Sequence, residues 1–190
     1  MILREIKTAF SSEVPILDLE ISNDVSTPSG KWEYNKGDVI SCAIFYGDLV
    51  TCVLREKSDD RDLFKDKLIS ILDKLPTFYA FNYLFEKECL KGFLGKSYFV
   101  EEIKPAKGKG WSKEKFFKLL VSEKLVKEIP EDQLENNSKL VLNRYLEGKY
   151  EDIIKHNISD VIKQYWIWKY KHFILKKVKV DSNGWVIDNA

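Results

Sequence analysis

Two carboxylates inside an apolar strand constrain this chain more than any other feature. Residues 14–21 read Val-Pro-Ile-Leu-Asp-Leu-Glu-Ile, a strand that begins after Pro15 and sets Asp18 and Glu20 among Ile16, Leu17, Leu19 and Ile21. Residues i and i+2 of a strand share a face, with Cα atoms ~6.6 Å apart. Two carboxylates so placed on a buried strand lose hydration and repel each other unless positive charge lies between them. A divalent ion that takes oxygen ligands, Mg²⁺ or Mn²⁺, resolves the conflict. An edge strand with a solvated acidic face resolves it equally well, and the pair alone does not choose.

The remainder of the chain supplies neighbours for such a strand. Residues 22–37 are rich in Ser, Asn, Asp, Thr, Pro and Gly around Trp32 and Tyr34, which predicts a loop. Residues 38–46 are β-branched and aromatic, Gly47-Asp48 makes a tight turn, and 49–55 return as the second arm of a hairpin. Ser58, Asp59 and Asp60 can cap a helix that runs to about Leu75 and stops at Pro76. Short strands are expected at Phe78–Phe81 and Tyr98–Ile103, with a helix from Leu84 to about Phe93 between them. Beyond Trp111 the pattern is mostly helical: one helix capped by Ser112, one over 130–147, and a long one from about Tyr150 to Ile174. The tail after Lys177 reads as an edge strand or loose chain. A hairpin followed by strand–helix units predicts an α/β fold, a mixed sheet flanked by helices. Neither a repeat nor a low-complexity linker divides residues 1–190, so one domain is expected, with its motifs spread over about 14–176.

Composition removes several function classes. No run of about 18 apolar residues exists, which argues against a membrane span, and Met-Ile-Leu-Arg-Glu-Ile-Lys lacks the apolar core of a secretion signal. A cytoplasmic location is the expectation. Cys42, Cys52 and Cys89 form no CxxC, and with His156 and His172 as the only histidines neither a zinc finger nor a disulfide scaffold is predicted. The net charge of +1 conceals two basic stretches, one from Lys104 to Lys118 and one from Lys163 to Lys179. Either could gather phosphates or be ordinary solvated surface.

A second pair of polar groups lies far along the chain. His156 and Asp160 are four residues apart near the start of the long helix, so they share a face and can reach a common ligand. An imidazole there could take a proton from a metal-bound water at neutral pH; a surface His–Asp pair has the same spacing. Glu86 stands in the first turn of its helix, where an acidic residue also complements the helix dipole, and Asn82 stands where it can cap that helix.

Taken in order, these segments resemble the DEDD superfamily of 3'→5' exonucleases, in particular the predicted ribonuclease-H-like exonucleases related to polymerase proofreading domains. The first motif of that group, Asp-x-Glu on the first strand, is matched by Asp18-Leu19-Glu20. The second, Asn followed four residues later by an acidic residue, is matched by Asn82-Tyr83-Leu84-Phe85-Glu86, with Glu where Asp is usual. The third ends in Asp160 with its base, His156, four residues earlier, the spacing that Tyr usually fills. The three motifs span roughly 14–170, which is most of the chain.

The resemblance implies a ribonuclease-H-like sheet and hydrolysis of phosphodiester bonds from a 3' end, releasing 5'-mononucleotides. It implies two Mg²⁺ or Mn²⁺ ions held by Asp18, Glu20, Glu86 and Asp160, with His156 as general base. The implied substrate is single-stranded nucleic acid or a 3' end, DNA or RNA. Asn82 would contact it or fix the helix that presents Glu86. Lys104, Lys107, Lys109 and Lys113 would follow its backbone, and Trp111 or Phe116 would offer a stacking face. The alternative is a catalytically impaired nucleic-acid-binding protein on the same fold.

Overall fold

The structure, a computed structural model, describes residues 1–27, 30–106, 111–127, 129, 134, 138–178 and 180–186. Its strands are β1 (Ile2–Ile21), β2 (Val39–Leu54), β3 (Phe78–Ala80) and β4 (Val100–Glu102). Its helices are α1 (Arg61–Leu72), α2 (Tyr83–Leu94), α3 (Lys113–Ser122), α4 (Ser138–Leu146), α5 (Tyr150–Lys169) and α6 (Lys171–Lys177). Local chemistry sets several of these ends. The Asp60 carboxylate accepts from the backbone N–H groups of Asp62 at 2.7 Å and Leu63 at 3.1 Å, which caps α1. Ser112 caps α3 through the Lys115 N–H at 3.3 Å. Gly95 closes α2 in the left-handed region at φ 69.

The strands form a mixed sheet in the order β2-β1-β3-β4. β1 is antiparallel to β2 and parallel to β3, and β3 is parallel to β4. β2 does not run straight. The Ser41 hydroxyl lies 3.5 Å from the Cys52 thiol, eleven residues further on, and the Arg55 N–H donates to the Ile40 carbonyl at 2.8 Å. Extended chain would hold Ser41 and Cys52 ~36 Å apart, so β2 doubles back at Gly47-Asp48, as that turn predicts. Gly47 takes φ 60, the sign required at the first residue of a type II′ turn.

β1 wraps around this hairpin. Ile2–Lys7 pairs with Leu54–Leu49, Ser12 opposes Gly47 at the tip, and Ile16–Ile21 pairs with Phe45–Val39. Irregular register between Lys7 and Ile16 lets the strand turn the corner. Across the sheet the arms therefore run 2–7, 49–54, 39–45 and 16–21, followed by β3 and β4. The arm at 2–7 is an extra strand for which the sequence carries no turn signal.

Side chains alternate across the sheet, and both faces are covered. Leu17, Leu19, Cys42 and Ile44 pack with Phe64 and Leu68 of α1 and Leu90 and Phe93 of α2. Ile16, Ala43, Phe45 and Cys52 pack on the other face with Tyr145 of α4 and Ile153, Ile154 and Tyr165 of α5. Asp18 and Glu20 have the parity of Ile16, so strand geometry delivers both to the α5 side. A third cluster joins Phe116 and Leu120 of α3 to Ile167 and to Ile174 of α6.

The helical expectations change in detail. The long helix breaks at Tyr170 into α5 and α6. Of the helix expected over 130–147, α4 accounts for Ser138–Leu146, and most of 130–137 lies outside the described residues. The tail carries a bridge between Val180 and Val186. Cys42, Cys52 and Cys89 are buried free thiols. Among the described residues no helix is long and apolar enough to cross a membrane.

Candidate metal centre

The face shared by the 16–21 arm of β1 and by α5 brings the two polar pairs together. The His156 Nε2 lies 3.2 Å from the Glu20 Oε1 and 3.8 Å from the Asp160 Oδ2. Ligand atoms of Glu20, His156 and Asp160 all fall within 4.8 Å of one another, close enough to share one ion. Asp18 stands beside them, 6% exposed, and its carboxylate is held from several sides. The Asn157 amide donates to its Oδ2 at 2.7 Å, and the Gln164 amide donates to its Oδ1. Those amides are themselves anchored: the Gln164 Oε1 accepts from the Phe81 N–H at 2.9 Å, and the Asn157 Oδ1 accepts from the Ser41 hydroxyl at 3.0 Å.

A lysine enters the same cluster. Lys113, the first residue of α3, donates to the Asp160 Oδ2 and lies 3.6 Å from the Asp18 Oδ1. Lys163, 2% exposed, approaches the other Asp160 oxygen at 3.8 Å. Cations on two sides of Asp160 explain how so many buried acids coexist here.

The electrostatics divide the carboxyls. Burial pushes the Asp18 carboxyl up to about 7; Lys113 opposes the rise, and Asp160 and Glu20 add to it. Burial also drives Glu86 well above its ordinary value, with Asp18 contributing. For Asp160 burial works in the same direction, but Lys113 and His156 outweigh it and leave the carboxyl below its usual range. Burial pulls the Lys113 ammonium down, and Asp160 and Asp18 more than reverse that pull.

Glu86 is 3% exposed and its Oε2 has no hydrogen-bond partner. A helix dipole stabilises a nearby carboxylate more strongly when partly buried, but it supplies no donor to an oxygen enclosed without one, and a cation there would satisfy that oxygen. The Asp160 Oδ1 likewise lacks a hydrogen bond. These acceptors fit a divalent ion, although the Glu86 oxygen does not belong to the group of ligand atoms within 4.8 Å. The donor set mixes carboxylate oxygen with imidazole nitrogen, so His156 is placed as a ligand as readily as a base.

The other expected residues are distributed less evenly. Asn82 is exposed at the start of α2, and its side chain makes no capping bond. Trp111 packs against Phe116 with centroids 4.9 Å apart, and Lys115 covers its ring at 4.2 Å, so it is partly buried in the third cluster. Lys104 lies over the Phe81 ring at 5.5 Å. Lys107 and Lys109 lie outside the described residues. Lys113 and Lys163, counted in the basic stretches, are internal cations instead.

Asn157 and Gln164 went unread in the sequence, yet a signal existed. They are seven residues apart, two helical turns, and with Asp160 they place a polar stripe along a helix otherwise facing the core.

These features define a mixed α/β sheet with flanking helices and a buried Glu–His–Asp cluster able to hold a divalent ion. The family B DNA polymerase from the hyperthermophilic archaeon Pyrobaculum calidifontis has a similar structure: TM-score 0.54 at 12% identity, covering 84% of this chain and 24% of that one. The likeness is one of fold, and the chain spans about a quarter of the polymerase's length. No family model and no curated protein matches the chain.

Proposed function

We propose that the protein is a divalent-metal-dependent 3'→5' exonuclease built on a ribonuclease-H-like sheet. The convergence of Glu20, His156 and Asp160 ligand atoms within 4.8 Å, with Asp18 alongside, carries the reading. Its fold component is supported by the order of the arms, in which a wrapped hairpin lies antiparallel to the Asp18 strand and two parallel strands follow on its other side. The similarity to a polymerase structure supports it as well.

In this reading Asp18, Glu20, Glu86 and Asp160 hold two Mg²⁺ or Mn²⁺ ions. Bound ions lower the pKa of an attacking water and offset charge developing at phosphorus. Asn157 and Gln164 orient Asp18. His156 would take the proton from the water through its Nε2, the atom that faces Glu20 and Asp160, once those carboxylates are engaged by the ions instead. Asn82 at the open end of α2 and the Lys107–Trp111 segment guide a single strand to the site, DNA or RNA.

One observation favours the rival, a nucleic-acid binder without catalysis: Lys113 already supplies a positive charge to Asp160 and Asp18. Degradation of 5'-labelled single-stranded RNA and DNA in Mn²⁺ separates the two. Wild type should shorten the strand stepwise from its 3' end, while Asp18→Asn and Glu86→Gln lose nearly all cleavage. Equal cleavage by Glu86→Gln would remove that residue from the site. Intact substrate with wild type would leave only the binder.

A further inference from the structure

The cluster holds a cation of its own where an ion would have to bind. Lys113 donates to the Asp160 Oδ2, the same oxygen that lies 3.8 Å from the His156 Nε2 in the Glu20–His156–Asp160 group. Its ammonium also sits 3.6 Å from the Asp18 Oδ1. An ammonium that donates to a carboxylate oxygen and a divalent ion bound to the same oxygen stand within a few ångströms of each other, where like charges in a partly dry site repel by several times thermal energy. Lysine is well suited to leave: a point charge on a flexible four-carbon stem adapts to a new position at little cost. Its side chain is 14% exposed, against 6% for that of Asp160 and 8% for that of Asp18, so solvent lies on the lysine's side of the cluster. Lys163, 2% exposed and 3.8 Å from the Asp160 Oδ1, is enclosed and has no comparable exit.

We propose that the Lys113 ammonium and a divalent cation occupy the same place on Asp160, so that the ion binds only by displacing the lysine. Lys113 is then a tethered competitor. It holds the metal-free cluster together and sets the ion concentration at which the site fills. Lys163 stays in both states and offsets charge on the far oxygen of Asp160. The inference rests on the metal-binding reading of this site, and it assigns to Lys113 a positioning role toward the ion.

The test is calorimetric titration of Mn²⁺ into wild type, Lys113→Met, Lys113→Arg and Asp160→Asn, with no substrate present. Lys113→Met should bind Mn²⁺ at least tenfold more tightly than wild type. Lys113→Arg, which keeps the charge, should remain within about threefold of wild type, and Asp160→Asn should lose binding; a repulsion of several times thermal energy at the shared oxygen makes about tenfold the floor for removing the charge. Should Lys113→Met unfold without metal, the Mn²⁺ concentration that restores its circular dichroism replaces the titration. Because the apparent constant exceeds the intrinsic one by the inverse of the folded fraction, the midpoint is multiplied by the folded fraction extrapolated from urea unfolding at saturating and at limiting metal. A product below the wild-type dissociation constant supports displacement, and one at or above it overturns it. Equal or weaker binding by folded Lys113→Met also overturns the competition while leaving the metal site standing. Absence of Mn²⁺ binding in both wild type and Lys113→Met would remove the metal site and the competition together.

Discussion

Asp18 is fixed by donors whose orientation has a determinate cause. A backbone N–H can only donate, so the atom of Gln164 facing Phe81 at 2.9 Å is its oxygen, and its NH₂ end must face Asp18. The side chain therefore satisfies a buried donor and a buried acceptor at once. Gln164→Leu keeps most of the volume and leaves both unmatched. Leaving buried groups unpaired costs about 1–3 kcal/mol, and a protein of this size melts about 2–4 °C lower for each kcal/mol lost. A fall of roughly 4–8 °C in Tm is expected for about 2 kcal/mol at that rate. A variant melting with wild type would show that the amide contributes nothing to holding Asp18.

At the scale of elements, the position of Glu86 depends on how closely α2 approaches the chain that follows β1. Glu86 is carried by α2, and α2 is registered against residues 34–36, a short 3-10 turn in the connection between β1 and β2. A Cβ on Gly92 would lie 1.8 Å from the Asn35 carbonyl oxygen, and a Cβ on Gly37 would lie 2.8 Å from the Cys89 sulfur. The Asn35 contact is with backbone, which cannot rotate away. Gly92→Ala must therefore push α2 off the turn, at a cost of about 1–3 kcal/mol or more. The expected outcome is a lower Tm with an altered Mn²⁺ response, since Glu86 moves with its helix. An alanine variant with wild-type Tm would mean that this packing is looser than the contact implies. The same connection also packs on α2 through Tyr34, which meets Phe85 edge-on with centroids 5.5 Å apart.

Over the whole molecule, the clustered acids tie stability to pH. Asp18 ionises near 3.8 in the unfolded chain, and burial raises it to about 7 in the folded one. Between those values the unfolded state binds fewer protons, so stability contributed by the protonated carboxyl is lost as pH rises. Glu86, also raised by burial, acts in the same direction. Asp160 is lowered, so its contribution disappears only on acidification below the ordinary carboxylate range, outside that window. The metal-free protein should melt at progressively lower temperature from about pH 4 to about pH 7. Saturating Mn²⁺ should reduce the slope, because ligand binding to the folded state stabilises it by linkage. A metal-free Tm that rises across this interval would contradict the directions assigned to Asp18 and Glu86.

Much of this was legible in local pattern. The apolar run around Asp18 and Glu20 marks a strand and puts both carboxylates on one face, because the strand period is two. The Gly47-Asp48 turn marks the hairpin, because only a residue tolerant of positive φ fits there. Asp60 and Ser112 mark helix starts, because their side chains answer exposed backbone donors. The spacing of His156 and Asp160 places them on one helical face for the same kind of reason. Each follows from geometry within a few residues.

Other features depend on contacts between residues far apart in sequence, which no local period encodes. The wrapping of Ile2–Lys7 around the hairpin is set by a partner strand some 50 positions away, Ile2 opposite Leu54. That Asp18 is gripped by Asn157 and Gln164 depends on how α5 lies across the sheet. Lys113 reads in sequence as one more cation of a basic stretch; packing of α3 against α5 turns it inward onto Asp160. The identity of a buried charge's partner is decided by desolvation, which only the assembled layers impose. Local pattern made the acids candidates, the resemblance joined them into one expected ligand set, and tertiary packing alone decided which cations face them.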